Sequence, residues 1–152
     1  MKKTFQCEAK IENLNTATAF LEETLEEIGC GMKQSMQLSV ALEEIFVNIA
    51  HYAYAKTDSS GNIIPDTGSG QMSLTLVAED GKVYMTFEDE GIPYNPLEKK
   101  DPDVTLSVEE REIGGLGIYM VKKSMDEITY ENKDGKNILT LMKKLWNHSF
   151  NV

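Results

Sequence analysis

The segment Gln71–Glu88 restricts the fold more than any other part of the chain. Met72, Leu74, Leu76 and Ala78 alternate with mostly polar partners up to Glu79, and Val83, Met85 and Phe87 alternate likewise from Lys82 to Glu88. A period of two puts one set of side chains on each face of a strand. Between the two runs stands Asp80-Gly81, a dipeptide suited to the two-residue turn that joins antiparallel strands. The segment therefore predicts a hairpin with one apolar face that must be covered. A second hairpin is predicted from Glu127–Glu131 and Lys136–Lys143 about the turn Asn132-Lys133-Asp134-Gly135. Thr4–Ile11 alternates more loosely and is predicted as a further strand.

Helices supply the cover. Asn13-Leu-Asn-Thr16 offers N-cap residues, Ala19, Phe20, Leu21, Leu25 and Ile28 recur at helical spacing, and Gly29-Cys-Gly31 is a stop. A second helix is predicted over Lys33–Tyr54, with Leu38, Leu42, Ile45, Ile49 and Ala53 as its buried stripe. A third runs from Leu116 to Met125. Lys56–Gly70, rich in Thr, Asp, Ser, Gly and Pro, reads as a surface loop, and Glu90–Ile113 as a lid or binding loop with a helical turn near Leu106–Glu110. Strands outnumber helices and come in hairpins. The expected fold is one α/β (α+β) two-layer sandwich over residues 1–152, a mixed, mostly antiparallel sheet with helices on one face.

Size and charge narrow the function classes. The chain has 152 residues, enough for a core without staples. No apolar run approaches the ~20 residues of a membrane span, so the default location is cytoplasmic. Its formal charge of −10 disfavours a nucleic-acid surface. Cys7 and Cys30 are expected to pack as small apolar side chains. His51 and His148 lack the neighbours of a structural zinc site.

Three separated segments carry candidate chemistry. Glu44-Ile-Phe-Val-Asn48 puts a carboxylate and an amide one helical turn apart. The amide oxygen suits magnesium, a hard cation, and the carboxylate suits a general base; a solvated helix face is the alternative. Glu43 competes as the carboxylate, but its spacing to Asn48 does not share that face. Asp89-Glu-Gly91 puts a carboxylate at a strand end, either as an acceptor for an adenine amine or as a simple turn. Gly114-Gly-Leu-Gly117 opens a helix whose N–H groups can face phosphate oxygens, or is a flexible cap. It is neither a dinucleotide fingerprint nor a P-loop. Lys99, Lys100 and Arg111 are candidates to fold over a γ-phosphate.

Together these segments resemble the GHKL ATPase superfamily of gyrases, heat-shock chaperones, histidine kinases and MutL proteins. Glu44–Asn48 resembles its N box, Asp89-Glu-Gly91 its G1 box and Gly115-Leu-Gly117 its G2 box. Within it, Ala41-Leu-Glu-Glu44, Asn48, Tyr52-Ala-Tyr54, Pro93-Tyr-Asn-Pro96 and Gly114–Ile118 with Met125-Asp126 are similar to the single-domain anti-sigma factor serine/threonine kinases of bacteria. The resemblance implies the Bergerat fold and two cofactors, ATP and Mg2+. Glu44 would be the base, Asn48 the metal ligand, and Asp89 the reader of adenine. Gly91, Pro93, Asn95, Gly114, Gly115, Leu116 and Gly117 would complete the nucleotide site. It implies a substrate serine or threonine on a STAS-domain anti-anti-sigma protein, a sigma factor as alternate partner, and a homodimer.

The chain departs from that pattern. Tyr52 stands where the family often has His, and G1 continues as Gly91-Ile-Pro-Tyr-Asn-Pro96. Ile113 occupies the place of an arginine that reaches the γ-phosphate in other members. The alternative function is therefore a module that binds ATP and sequesters a partner with little or no kinase activity.

Overall fold

The computed structural model describes residues 1–98 and 116–145. Strand β1 (Lys2–Glu8) leads through a 3-10 turn at Ile11–Asn13 into helix α1 (Leu14–Glu27), followed by helix α2 (Met32–Asn48). A short hairpin, β2 (Lys56–Thr57) and β3 (Ile63–Ile64), precedes the long hairpin β4 (Gln71–Glu79) and β5 (Lys82–Asp89). Helix α3 (Leu116–Ser124) and the hairpin β6 (Glu127–Lys133) and β7 (Lys136–Lys144) complete the described chain.

The main sheet has the order β1-β4-β5-β7-β6. Every neighbouring pair is antiparallel, so the expected mixed sheet is antiparallel throughout its described strands. Both hairpins turn where the sequence placed them. Asp80 and Gly81 have φ of 51° and 73°, and Asp134 and Gly135 have 54° and 79°. Two consecutive positive φ values give the turn whose twist matches the strands.

The inward alternation is as read. Met72, Leu74 and Leu76 of β4, Val83, Met85 and Phe87 of β5, and Leu139 and Leu141 of β7 are buried. They form one core with Leu21 and Leu25 of α1, Leu38, Leu42, Ile45 and Phe46 of α2, and Ile118 and Val121 of α3. Burying each such side chain stabilises by ~1.5–3 kcal/mol. The other face of the sheet is mostly polar, with Val77, Tyr84 and Met142 as an apolar row. Thr4, Thr75, Thr86, Thr140 and Thr129 are register partners in one rung across its five strands. The helices thus cover a single face, which gives the expected two layers.

Local details differ from expectation. Strand β1 ends at Glu8 rather than Ile11, because the chain turns there: Asn13 Nδ2 donates to the Glu8 carbonyl at 2.9 Å instead of capping α1. Gly29, at φ 70°, closes α1 as read, with the Cys30 N–H on the Leu25 carbonyl at 3.0 Å. The surface loop Lys56–Gly70 contains the β2–β3 hairpin and is tied to the end of the second helix. The Asp66 N–H donates to the His51 carbonyl at 3.0 Å, and His51 Nδ1 pairs with Asp66 Oδ1 at 2.6 Å. The helical turn expected near Leu106–Glu110 lies outside the described residues. No described helix is long and apolar enough to cross a membrane.

The largest departure positions the site. The second helix was expected to run unbroken to Tyr54. It is α-helical only to Asn48 and then opens into a π-helical turn over Ile49–Ala53. At the end of that turn the Ala53 carbonyl accepts the Ile92 N–H at 2.7 Å. The helix end is thereby fastened to the loop that follows β5.

Candidate functional site

A cavity of about 520 Å³ opens between the end of α2 and the ends of β5 and β7. Ile45, Ile49 and Ala53 form its helical wall, Phe87 and Leu139 its floor, and Ile118 of α3 its far side. Ile92, Pro93, Tyr94 and Pro96 close it from the loop after β5, and Tyr52 and Ile63 stand at its edge. Its walls are mostly apolar. The polar groups on it are few: Asn48, Asp89 and Asn137, with the phenols of the lining tyrosines. An apolar slot with a few placed polar groups is the ordinary form of a small-molecule site.

Glu44 and Asn48 meet as the helical spacing requires. Asn48 Nδ2 donates to Glu44 Oε1 at 3.3 Å. This orients the amide so that Oδ1, its only atom able to ligate a hard cation, makes no bond to a described residue. Magnesium takes one or two protein oxygens and completes its shell with water and phosphate, so the donor present fits a nucleotide-bound ion. Among the described residues no three His, Cys, Asp or Glu side chains gather as a metal cage. Of the adjacent carboxylates, Glu43 is exposed and Glu44 half-buried. The Glu44 carboxylate lies against Gly117 in the first turn of α3. A Cβ there would stand 2.1 Å from Glu44 Cδ and 2.2 and 2.3 Å from its oxygens. Two of the three sequence segments therefore touch.

Asp89 continues the inward positions of β5 after Val83, Met85 and Phe87, and is only 7% exposed. Its Oδ1 accepts the Gly91 N–H at 2.9 Å and Asn137 Nδ2 at 2.9 Å. The first bond is the turn that the sequence offered as an alternative; the carboxylate makes that turn and lines the cavity as well. Burial raises its pKa above the ordinary carboxylate range, opposed by the donors from Asn137 and Gly91. Gly91 is required for a reason the sequence did not show. A Cβ at this position would lie 2.1 Å from the Ala53 carbonyl oxygen.

The remaining candidates divide. Pro93 lines the cavity. Asn95 does not; its Oδ1 accepts the Leu97 N–H at 2.9 Å and opens the 3-10 turn Pro96–Glu98. Leu116 is the first residue of α3. Gly114, Gly115, Lys99, Lys100, Arg111 and Ile113 lie outside the described residues.

Sequence reasoning missed Asn137 and Tyr54. Asn137 is 7% exposed on β7 and bridges Asp89 to the loop beyond it. Its signal was present: a polar residue two places before Leu139 and four before Leu141, in an inward series. Tyr54 donates its hydroxyl to the Gln71 carbonyl and accepts the Glu90 N–H at 2.8 Å. A Cβ on Gly70 would reach 2.3 Å from its ring. Only the folded contact reveals that lock.

Comparison with known proteins places the chain in a family. The chain is 23% identical over 139 residues to an anti-sigma F factor of Geobacillus kaustophilus, covering 91% of this chain and 88% of that protein. It is 25% identical over 104 residues to the serine/threonine-protein kinase BtrW of Bordetella bronchiseptica, covering 68% of this chain and 66% of the other. Among solved structures it is similar to the RsbU and RsbW domains of a Mycobacterium tuberculosis protein, with a TM-score of 0.63 at 20% identity. That match covers 95% of this chain and 32% of the other, and it shows a shared fold. Residues 7–143 match the histidine kinase-like ATPase domain, and the chain belongs to that family.

Proposed function

We propose that this protein is an anti-sigma factor with serine/threonine kinase activity. It binds Mg-ATP, phosphorylates a serine or threonine of a STAS-domain anti-anti-sigma protein, and holds a sigma factor when that partner is phosphorylated. One observation carries the reading: Asn48 and Asp89 line one apolar cavity, and Glu44, bonded to Asn48, lies against Gly117, so three distant segments come together beside it. The anti-sigma F relative, matched over nine-tenths of the chain, supports the biological role.

Each residue has a task that its surroundings allow. Asp89 Oδ2, which makes no bond to a described residue, accepts the 6-amino group of adenine. Asn48 Oδ1 ligates magnesium. The first turn of α3, bare at Gly117, offers N–H groups to phosphate oxygens. Glu44 takes the proton of the attacking hydroxyl. The bound nucleotide and metal supply the phosphoryl group and neutralise its charge, which leaves the protein mainly positioning to do. The protein acts in the cytoplasm as a homodimer, away from membrane and nucleic acid.

A second reading rests on Ile113, which stands in the place of a phosphate-contacting arginine. On it, the protein binds ATP and sequesters its partner without transfer. Glu44→Gln separates the two. In a kinase it lowers phosphoryl transfer ~10²–10⁴-fold, the usual contribution of a general base, and leaves nucleotide affinity intact. A wild-type protein that binds ATP but transfers nothing to any STAS-domain partner establishes the second reading.

A further inference from the structure

The chemistry around Asn137 fixes which way its amide points. Its Oδ1 faces the Tyr94 N–H at 3.2 Å, Asn132 Nδ2 at 3.2 Å and the Tyr130 hydroxyl. A backbone N–H and an amide NH2 are donors only, so the atom that meets them is the oxygen. Nδ2 must then face Asp89 Oδ1 at 2.9 Å and the Ile92 carbonyl at 3.0 Å. The amide is saturated on both sides.

That orientation has a consequence for Asp89. Oδ1 receives two donors, Asn137 Nδ2 and the Gly91 N–H, and cannot carry a proton without losing one. Oδ2 makes no bond to a described residue, and Asp89 lines the cavity. Ionised, Asp89 presents a single acceptor at a fixed place; protonated, it would present a donor there. A donor suits a 6-oxo purine and rejects a 6-amino purine.

We propose that Asn137 is the residue that sets base specificity: by holding Asp89 Oδ1 and the Ile92 carbonyl together, it makes Asp89 Oδ2 a dedicated acceptor for a 6-amino purine. The proposal rests on the reading that the cavity binds a nucleotide. Asn137 is a positioning residue, acting through Asp89. The carboxyl depends on it because burial pushes the Asp89 pKa up and the Asn137 donor pulls it down. The other titratable groups near this pair are the phenols of Tyr54 and Tyr130, and Glu88, Glu90 and Lys136, which line a neighbouring groove with Asp89; no described cation contacts Asp89.

The test uses the full chain and titrates ATP and ITP calorimetrically from pH 5.5 to 8. ITP carries a 6-oxo group where ATP carries the amine. The wild type is expected to prefer ATP, with affinity falling as Asp89 protonates in acid. Asn137→Ser removes the amide without adding charge. It is expected to weaken ATP about tenfold, to move the acid-side loss to higher pH, and to narrow the preference over ITP. Asn137→Asp keeps an acceptor for Tyr94, Asn132 and Tyr130 but loses the donor. It is expected to bind ATP poorly at pH 8 and to recover in acid, when one proton shared between the carboxyls restores a donor to Asp89. A merely structural Asn137 would lower both affinities equally at every pH in the serine variant and spare the aspartate variant. Either result overturns the proposal, and if one variant fails to fold the other decides. A wild type that binds neither nucleotide refutes the nucleotide reading of the cavity, and this inference with it.

Discussion

A methyl group on Gly91 tests the join between the π-helical turn and the loop after β5. The added Cβ would stand 2.1 Å from the Ala53 carbonyl oxygen and 2.5 Å from its carbon. Both obstacles are backbone, so neither can rotate away, and the strands or the helix end must part by about an ångström to restore van der Waals contact. That movement breaks the Ile92 N–H bond to Ala53, now 2.7 Å. Leaving such a pair unmade costs ~1–3 kcal/mol, and overpacking adds ~1–3 kcal/mol. Gly91→Ala should therefore lose about 3 kcal/mol or more. At ~2–4 °C per kcal/mol for a chain of this size, its melting temperature should drop by roughly 6–12 °C. Thermal unfolding followed by circular dichroism measures this directly. The same displacement moves Asp89, two residues away, so ATP should restore less stability to the variant than to the wild type. A variant that melts within about 2 °C of the wild type, with equal stabilisation by ATP, would refute the argument.

Gly117→Ala presents the same separation with a different obstacle: the Glu44 carboxylate, 2.1–2.3 Å from the added Cβ, is the end of a flexible side chain. It can swing aside, so stability should hold within ~0.5 kcal/mol while phosphoryl transfer falls at least ~10-fold through the misplaced base; normal transfer would show that Glu44 works elsewhere. Asp89→Asn should separate stability from function. Burial raises the Asp89 pKa, so the folded protein binds more protons than the unfolded chain between the ordinary and raised values. Ionisation of Asp89 then costs stability that returns as pH falls through the raised pKa. The asparagine variant, which can keep both donors on its oxygen, should melt no lower than the wild type at neutral pH and lack this acid-side gain. It should bind ATP ~1–3 kcal/mol more weakly. A lower melting temperature with unchanged ATP affinity would contradict both steps.

The parts of the fold that were legible follow a single local rule each. The hairpins at Asp80-Gly81 and Asp134-Gly135 combine a period of two with residues that accept positive φ, and both conditions are met within a few residues. The close of α1 at Gly29 is equally local. Glu44 and Asn48 were paired by helical spacing alone. What the sequence hid depends on partners far along the chain. Gly91 and Gly117 read as residues for loops and phosphates, yet the atoms that a Cβ would meet belong to Ala53 and Glu44. Asn95 stands off the cavity for the opposite reason: its oxygen is used within the next two residues.

The site is assembled where the chain breaks the rules that build the core. Helix α2 keeps an α-helical period while it packs on the sheet, then widens to a π turn where its carbonyl must reach Ile92. Strands β5 and β7 keep apolar inward residues over most of their length, then place Asp89 and Asn137 as register partners at the inward positions of one end. A buried carboxylate and amide would each be costly alone, and paired they satisfy one oxygen and leave one open. These exceptions lie on different elements but face a single cavity. Folding alone gives no reason for them to converge. A ligand site with a few placed polar groups in an apolar slot does.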